Sequence, residues 1–200
     1  MSLAEPAQAR GRRRKDTLLD AAAALLEEGG LGQVTHRAVA ERAALPLAAT
    51  TYYFSSRDDL LTQAFARLVD RDLVATREGL RPIEATEPAA VAEAVIAALV
   101  PREDTARDRH LALWELYLQA GRIPALRPLA RTWTDGSHEI VAGLLAKGGY
   151  PHTTADIRLV LAAVEGMLLE ALVEVRPDST HIMVETVTRL LVAVRAAGPR

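Results

Sequence analysis

Residues 35–54 read Thr35-His-Arg-Ala-Val-Ala-Glu-Arg-Ala-Ala-Leu-Pro-Leu-Ala-Ala-Thr-Thr-Tyr-Tyr-Phe54, and this stretch decides the fold. It reads as a helix, a tight break and a second short helix. Thr35 can cap the first helix, because its hydroxyl can accept a bond from a first-turn amide that has no intrahelical partner. Val39, Ala40 and Ala43 then recur at helical spacing on one narrow face. Their small size lets a second helix cross close by at a steep angle. Ala44-Leu45-Pro46 forms the break, and Pro46 suits the opening of a new helix because it has no amide to donate. The second helix, Leu47 to Tyr53, carries Thr50, Thr51, Tyr52 and Tyr53 in succession, so hydroxyls point around most of its circumference. Two short helices joined by a tight turn, the second covered in hydrogen-bonding groups, is an arrangement that enters a DNA major groove. An ordinary α-hairpin whose tyrosines cap a core is the plainer alternative.

The flanks favour the first reading. Upstream, Leu18 to Leu26 forms an amphipathic helix ending at Gly29-Gly30, and downstream Phe54-Ser-Ser-Arg-Asp-Asp-Leu-Leu opens another. This order of elements resembles the N-terminal domain of the tetracycline-repressor-like (TetR) family of transcription regulators. The resemblance is specific from about Arg12 to Phe65, with Thr35, Val39, Ala40, Ala43, Leu45, Tyr53, Phe54, Arg57 and Leu60 at family positions. The chain departs from the family pattern at Ala44 and Ala48, where glycines are usual. It departs again at Pro46, in place of a capping serine, and at Thr50-Thr51, in place of a Leu-Tyr pair. The resemblance implies about nine helices, with a three-helix DNA-binding domain followed by a ligand-binding and dimerisation bundle.

Composition agrees with an all-α protein: alanine, leucine and valine dominate the 200 residues, aromatics make up only 4%, and no alternating strand pattern appears. The formal net charge is −2, so no general affinity for polyanions follows. The distribution is uneven. Residues 1–57 hold eight basic side chains (Arg10, Arg12, Arg13, Arg14, Lys15, Arg37, Arg42 and Arg57) and are net positive, while the remainder is net negative. A positive end on an acidic body orients a protein toward DNA without making it adhere everywhere. Cysteine is absent, which excludes disulfides and thiolate metal sites. No apolar leader or bilayer-spanning run is evident, and a cytoplasmic protein without membrane contact is expected.

In chain order, residues 1–11 read as a disordered tail, 12–56 as the DNA-binding domain and 57–80 as a connecting helix. Residues 81–200 read as the ligand-binding and dimerisation domain, with Pro82 and Pro88 bracketing the boundary. Ser56 and Asp59 have the spacing of a capping box at the start of the connecting helix. Helices are expected from Pro88 to about Val100, Thr105 to Ala120, and Pro124 to Lys147, the last stopped by Gly148-Gly149. The last two, about 154–175 and 179–195, are apolar around most of their circumference and need cover on all sides. Their charges are too frequent for a membrane helix. They are expected to pair with a second copy about a two-fold axis, as the TetR resemblance also implies.

The candidate DNA contacts follow from chemistry and position. Arg12, Arg13 and Arg14, with Thr35, Tyr53 and Arg57, are expected to hold phosphates. Leu47, Ala49, Thr50 and Tyr52 are expected at base edges or thymine methyls, Thr51 at base, phosphate or packing, and His36 and Arg37 as further polar readers. A pocket for an unknown small-molecule effector is expected from His110, Trp114, Tyr117, Leu118, Trp133 and His138, which concentrate aromatic and polar groups on two helices of an aliphatic domain. No catalytic constellation and no cofactor motif stands out. Asp135-x-x-His138 and Asp178-x-x-His181 lack companion carboxylates, so no metal site is expected. The expected function is a sequence-specific regulator, a repressor released from a palindromic double-stranded DNA operator by a small molecule. A helical ligand-binding or dimeric scaffold with a vestigial helix-turn-helix is the alternative, and it leaves the hydroxyl-rich helix and basic tail without a purpose.

Overall fold

The computed structural model of the chain describes residues 7–80, 86–101, 104–174 and 178–197. The described residues contain nine α-helices and no strand, in agreement with the all-α expectation. They are α1 (Ala7–Gly29), α2 (His36–Arg42), α3 (Leu47–Tyr53), α4 (Arg57–Glu78), α5 (Pro88–Leu99), α6 (Asp104–Ala120), α7 (Arg127–Lys147), α8 (Thr154–Glu174) and α9 (Ser179–Ala197). Short 3-10 turns occupy Leu31–Gln33 and Pro124–Leu126, so the expected helix from Pro124 begins as a tighter turn. The tail differs from expectation: residues 7–11 are not disordered but open α1. Alanine, glutamine and arginine all favour helix, and the single Gly11 costs only about 1 kcal/mol against them. Residues 1–6, Pro82 at the expected boundary, and Val175 at the end of the expected 154–175 helix lie outside the described residues.

The caps explain where the helices begin. Ala38 N donates to Thr35 Oγ1 at 3.1 Å, as its position requires. Asp59 N donates to Ser56 Oγ at 3.1 Å. The Asp59 carboxylate closes not on Ser56 but on Ser55, accepting from its amide at 2.8 Å and its hydroxyl at 3.1 Å. Thr153 and Asp156 form a reciprocal box at α8, with Thr153 N donating to Asp156 Oδ2 at 2.7 Å and Asp156 N to Thr153 Oγ1 at 3.3 Å. Between α2 and α3 the chain turns through Ala44 at φ 52°. A side chain in that left-handed region costs roughly 1–2 kcal/mol, which is the physical reason a glycine is usual there.

The described residues fall into two compact units, one within Met1–Arg71 and Asp108–Ala130, the other within Asp72–Arg107 and Arg131–Arg200. The division does not follow chain order. Residues 108–130, expected in the second domain, group with the first, and α4, α6 and α7 each contribute to both units.

In the first unit the core is built from Leu18, Ala22 and Leu26 of α1, Val39 and Ala40 of α2, Phe54, and Leu60, Phe65 and Leu68 of α4, with Leu113 and Leu116 of α6. In the second, α9 packs on both α5 and α8, burying Val91, Val95, Val160, Val164, Met183, Val187 and Leu191. Two glycines mark close crossings there. A Cβ at Gly136 would lie 2.5 Å from Leu73 Cδ2, and one at Gly148 would lie 2.5 Å from Val91 Cγ2.

Candidate nucleic-acid interface

The helix pair α2–α3 is held by charged side chains on its neighbours. Arg57, at the first turn of α4, donates from Nε to Val34 O at 2.9 Å and from Nη2 to Leu31 O at 2.6 Å. The Leu31 amide donates to Glu115 Oε2 of α6 at 3.1 Å. The turn before Thr35 is thus fixed from two sides. On α2 itself, Arg42 forms a two-pronged pair with Glu28 of α1, one prong at 2.8 Å, and its hydrogen bonds hold the Glu28 carboxyl below its ordinary range. Asp20 of α1 receives Arg67 at 2.8 Å and Arg71 at 2.6 Å from α4, so α1 is pinned along its length.

With the frame fixed, the outward face is defined. Tyr52 is 80% exposed at the end of α3, and its ring meets Tyr53 edge-on at 4.9 Å between centroids. Leu47 and Thr51 are exposed and Ala49 is half-buried, with the Thr51 hydroxyl donating to Ala48 O at 3.2 Å. Thr50 corrects the expectation. It is fully buried and donates its hydroxyl to Leu47 O at 2.8 Å, so it offers nothing to a base edge. A threonine that bonds back into its own helix can be buried without an unsatisfied group, and sequence position alone could not assign the side of a two-turn helix that it takes.

The other candidates are more dispersed. Arg12, Arg13, Arg14 and Arg37 are exposed, and His36 is half-buried with its Nδ1 in the interior. Thr35 is exposed although its oxygen serves the cap. Arg10, Gly11 and Arg14 of α1 and Leu45, Pro46, Ala48, Ala49, Tyr52 and Tyr53 line a groove of about 750 Å³. Arg10 was not among the expected contacts. Its signal was the four-residue spacing to Arg14, which sets the two on one helical face.

The expected pocket residues fall in different units. His110, Trp114, Tyr117 and Leu118 lie on the part of α6 that groups with α1–α3. Trp114 and Tyr117 meet edge-on at 5.9 Å, and Tyr117 and Leu118 are exposed. Trp133 and His138 lie on α7 in the second unit. Trp133 is 8% exposed and donates its indole N–H to the buried Asp72 at 3.0 Å, and His138 is half-buried. Among the described residues no group of His, Asp and Glu is arranged to hold a metal ion, and no helix is long and apolar enough to cross a membrane.

Residues 18–64 match the family described as bacterial regulatory proteins, tetR family, and residues 87–194 match the tetracyclin repressor-like C-terminal domain. The chain belongs to the TetR family. The HTH-type transcriptional regulator BetI of Burkholderia mallei is 33% identical to this TetR-family chain over 139 residues, 67% of this chain and 68% of that one. BetI of Burkholderia thailandensis is 30% identical over 173 residues, 84% and 86% of the two chains. Among solved structures, a TetR-family member from Streptomyces coelicolor A3 shares 31% identity at a TM-score of 0.65, covering 88% of this chain and 97% of that one. The multidrug binding protein EbrR complexed with ethidium shares 28% identity at a TM-score of 0.67, covering 88% and 98%. This TetR-family protein is a DNA-binding, ligand-responsive transcriptional regulator.

Proposed function

We propose that the protein is a cytoplasmic homodimeric repressor that leaves a palindromic operator when a small molecule binds it. The observation that supports the DNA-facing half is the outward face of α3, where Leu47, Thr51 and Tyr52 are exposed and Ala49 is half-buried while Thr50 is buried. Leu47 and Tyr52 read thymine methyls and base edges. Thr35, His36, Arg37, Tyr53 and the α1 arginines fix the register through phosphates. Arg57 acts chiefly by holding the Leu31–Val34 turn, with its remaining N–H groups available to a phosphate. With no Asn, Gln or Arg on α3, bidentate base contacts are scarce and duplex shape carries much of the specificity.

The dimer would form through α8 and α9. Leu159, Leu169 and Val173 of α8 and Ile182 and Val192 of α9 are exposed, and a second copy is the economical cover for them. The effector would be an aromatic small molecule. EbrR is a multidrug binding protein seen with ethidium, proflavin and malachite green, and the edge-on Trp114–Tyr117 pair offers such a molecule a stacking surface. His110 and Leu118, on the same part of α6, are the further wall candidates. Release requires the effector to prefer a form whose two α3 helices are wrongly spaced, and α4, which contributes to both units, would carry the change.

Selection of duplexes from a random pool, followed by anisotropy titration of the winner with and without ethidium, tests the reading. A palindromic consensus bound by two chains and released by the dye supports it. A pool that never converges, with and without cell extract, favours a dimeric scaffold.

A further inference from the structure

We propose that Glu115 is the positioning residue through which an effector lying on α6 reaches the helix pair α2–α3. The inference rests on the ligand-responsive reading above and names the route by which the ligand acts. Residues 108–120 of α6 belong to the same compact unit as α1–α3. Within it, Trp114, Glu115 and Tyr117 sit inside one helical turn, where successive residues point about 100° apart. Glu115 is therefore directed away from Tyr117, which is exposed together with Leu118. On its own side the Glu115 carboxylate accepts from the Leu31 amide at 3.1 Å. Arg109, earlier on the same helix, donates to Glu27 of α1 at 3.2 Å. The helix thus carries an exposed aromatic surface and also holds α1 and the turn that follows it.

Leu31 is the place where a movement of α6 is felt. It opens the 3-10 turn Leu31–Gln33, and only Val34 separates that turn from Thr35, whose oxygen caps α2. Val34 is fully buried, so no slack segment lies between the amide and the helix pair. The Leu31 carbonyl is held by Arg57 of α4, which leaves the amide as the half that α6 controls. With side chains reaching about 5–6 Å from a helix axis, a turn of roughly 5° moves the carboxylate by about 0.5 Å. That takes a 3.1 Å bond beyond hydrogen-bonding range. A hydrogen bond to a charged group changes an equilibrium constant by about a factor of ten or more. Effectors in general change affinity by about 5–150-fold, so one bond of this kind is large enough to carry the response. An aromatic molecule wedged against Trp114 and Tyr117 favours the turned helix, while the operator favours the form with the bond made.

The experiment uses the full chain, the selected operator and malachite green as the probe, with operator affinity read by anisotropy. The dye should weaken operator binding by the parent about tenfold or more. Glu115→Ala should bind the operator about tenfold more weakly without dye, and the dye should change that value by less than about twofold. Glu115→Gln keeps an acceptor and should restore most of the release, a pattern that lost stability alone would not give. Tyr117→Ala should bind the operator like the parent and ignore the dye, which places the dye's action on α6 and not on the duplex. In the parent, saturating dye should speed amide hydrogen exchange at Leu31 and leave Val39, bonded to Thr35 O, unchanged. That reading needs no variant and decides the matter if Glu115→Ala does not fold. Release of Glu115→Ala or Tyr117→Ala by the parental factor, or unchanged exchange at Leu31, overturns this route and leaves the regulator reading standing. A parent that keeps the operator in the presence of dye overturns the effector reading and this route with it. A parent that binds no duplex overturns the regulator reading as well.

Discussion

Glu115 and Leu31 stand 84 residues apart in sequence and are joined by a 3.1 Å hydrogen bond from the Leu31 amide to the Glu115 carboxylate. The carbonyl of the same residue accepts from Arg57 Nη2 at 2.6 Å. One residue is therefore held by its amide from α6 and by its carbonyl from α4, a few positions before the cap of α2. Gly30 makes this possible. Its φ is +70°, and a Cβ there would lie 2.8 Å from Glu115 Oε2.

Gly30→Ala should therefore destabilise the fold on two counts. The backbone at φ 70° and ψ −170° is one that glycine alone adopts readily and costs roughly 1–3 kcal/mol with a side chain, and displacing the carboxylate forfeits a charge-assisted bond that contributes about 1.5–3 kcal/mol. Glu115→Gln keeps an acceptor and should lose no more than about 1 kcal/mol. Urea denaturation measures both. An unchanged midpoint for the alanine variant would mean that the turn has another way to sit.

Arg57→Lys separates holding the turn from neutralising a phosphate. Lysine keeps the charge but cannot present the rigid fork that reaches Val34 O and Leu31 O together. The expected outcome is a loss of about 1–3 kcal/mol in stability, with weaker binding to all duplexes and a salt slope near the parent's. A lysine variant with parental stability but a flattened slope would reverse that assignment.

Thr50→Val should leave the selected consensus unchanged. Its hydroxyl bonds to Leu47 O inside the unit, so the substitution touches stability, by about 1 kcal/mol, and no base. Leu47→Ala and Tyr52→Ala act on exposed side chains and should alter the preferred sequence at near-parental stability. Repeating the duplex selection with each variant decides between them.

Much of this was legible in the residues because the signals were local. Thr35, Ser56 and Pro88 mark helix starts by their own chemistry, and Phe54, Leu60 and Phe65 announce a core by spacing. What was not legible depended on contacts distant in sequence. Nothing near Glu115 points to Leu31, and nothing near Arg57 says that its fork is taken up by two carbonyls. Thr50 was misread because a helix of two turns has too few apolar residues to define an inner face. The tail was misread because glycine, glutamine and serine suggest disorder, whereas residues 7–11 only extend a helix that α4 already anchors through Asp20.

Glu165 gives a pH prediction. It is half-buried on α8, and burial raises its carboxyl above the ordinary value of 4.5. Because the folded-state value lies above the unfolded one, the ionised form opposes folding at neutral pH. As pH falls through the raised value the folded state takes up the proton first and the penalty disappears. Glu165→Gln should accordingly melt higher than the parent at neutral pH, and the difference should shrink toward zero as pH approaches 4.5. Thermal melts at one fixed protein concentration across that range test it. A difference that grows on acidification would contradict the burial assignment.

The proposed dimer surface can be tested without touching the fold. Val173 is 70% exposed and Leu169 is exposed on the same face of α8, one turn away. Charging either side chain should therefore change the stability of a single chain by no more than about 0.5 kcal/mol, as at most surface sites. Across a two-fold axis each substitution appears twice and brings like charges into an apolar seam, where a buried unpaired charge costs several kcal/mol. Leu169→Glu with Val173→Glu should thus convert a dimer into monomers of unchanged helix content, read by sedimentation and circular dichroism. Operator affinity should fall steeply with it, since two half-sites are then bound independently. A doubly charged variant that sediments like the parent would move the interface off this face of α8 and leave its exposed apolar side chains to be covered in another way.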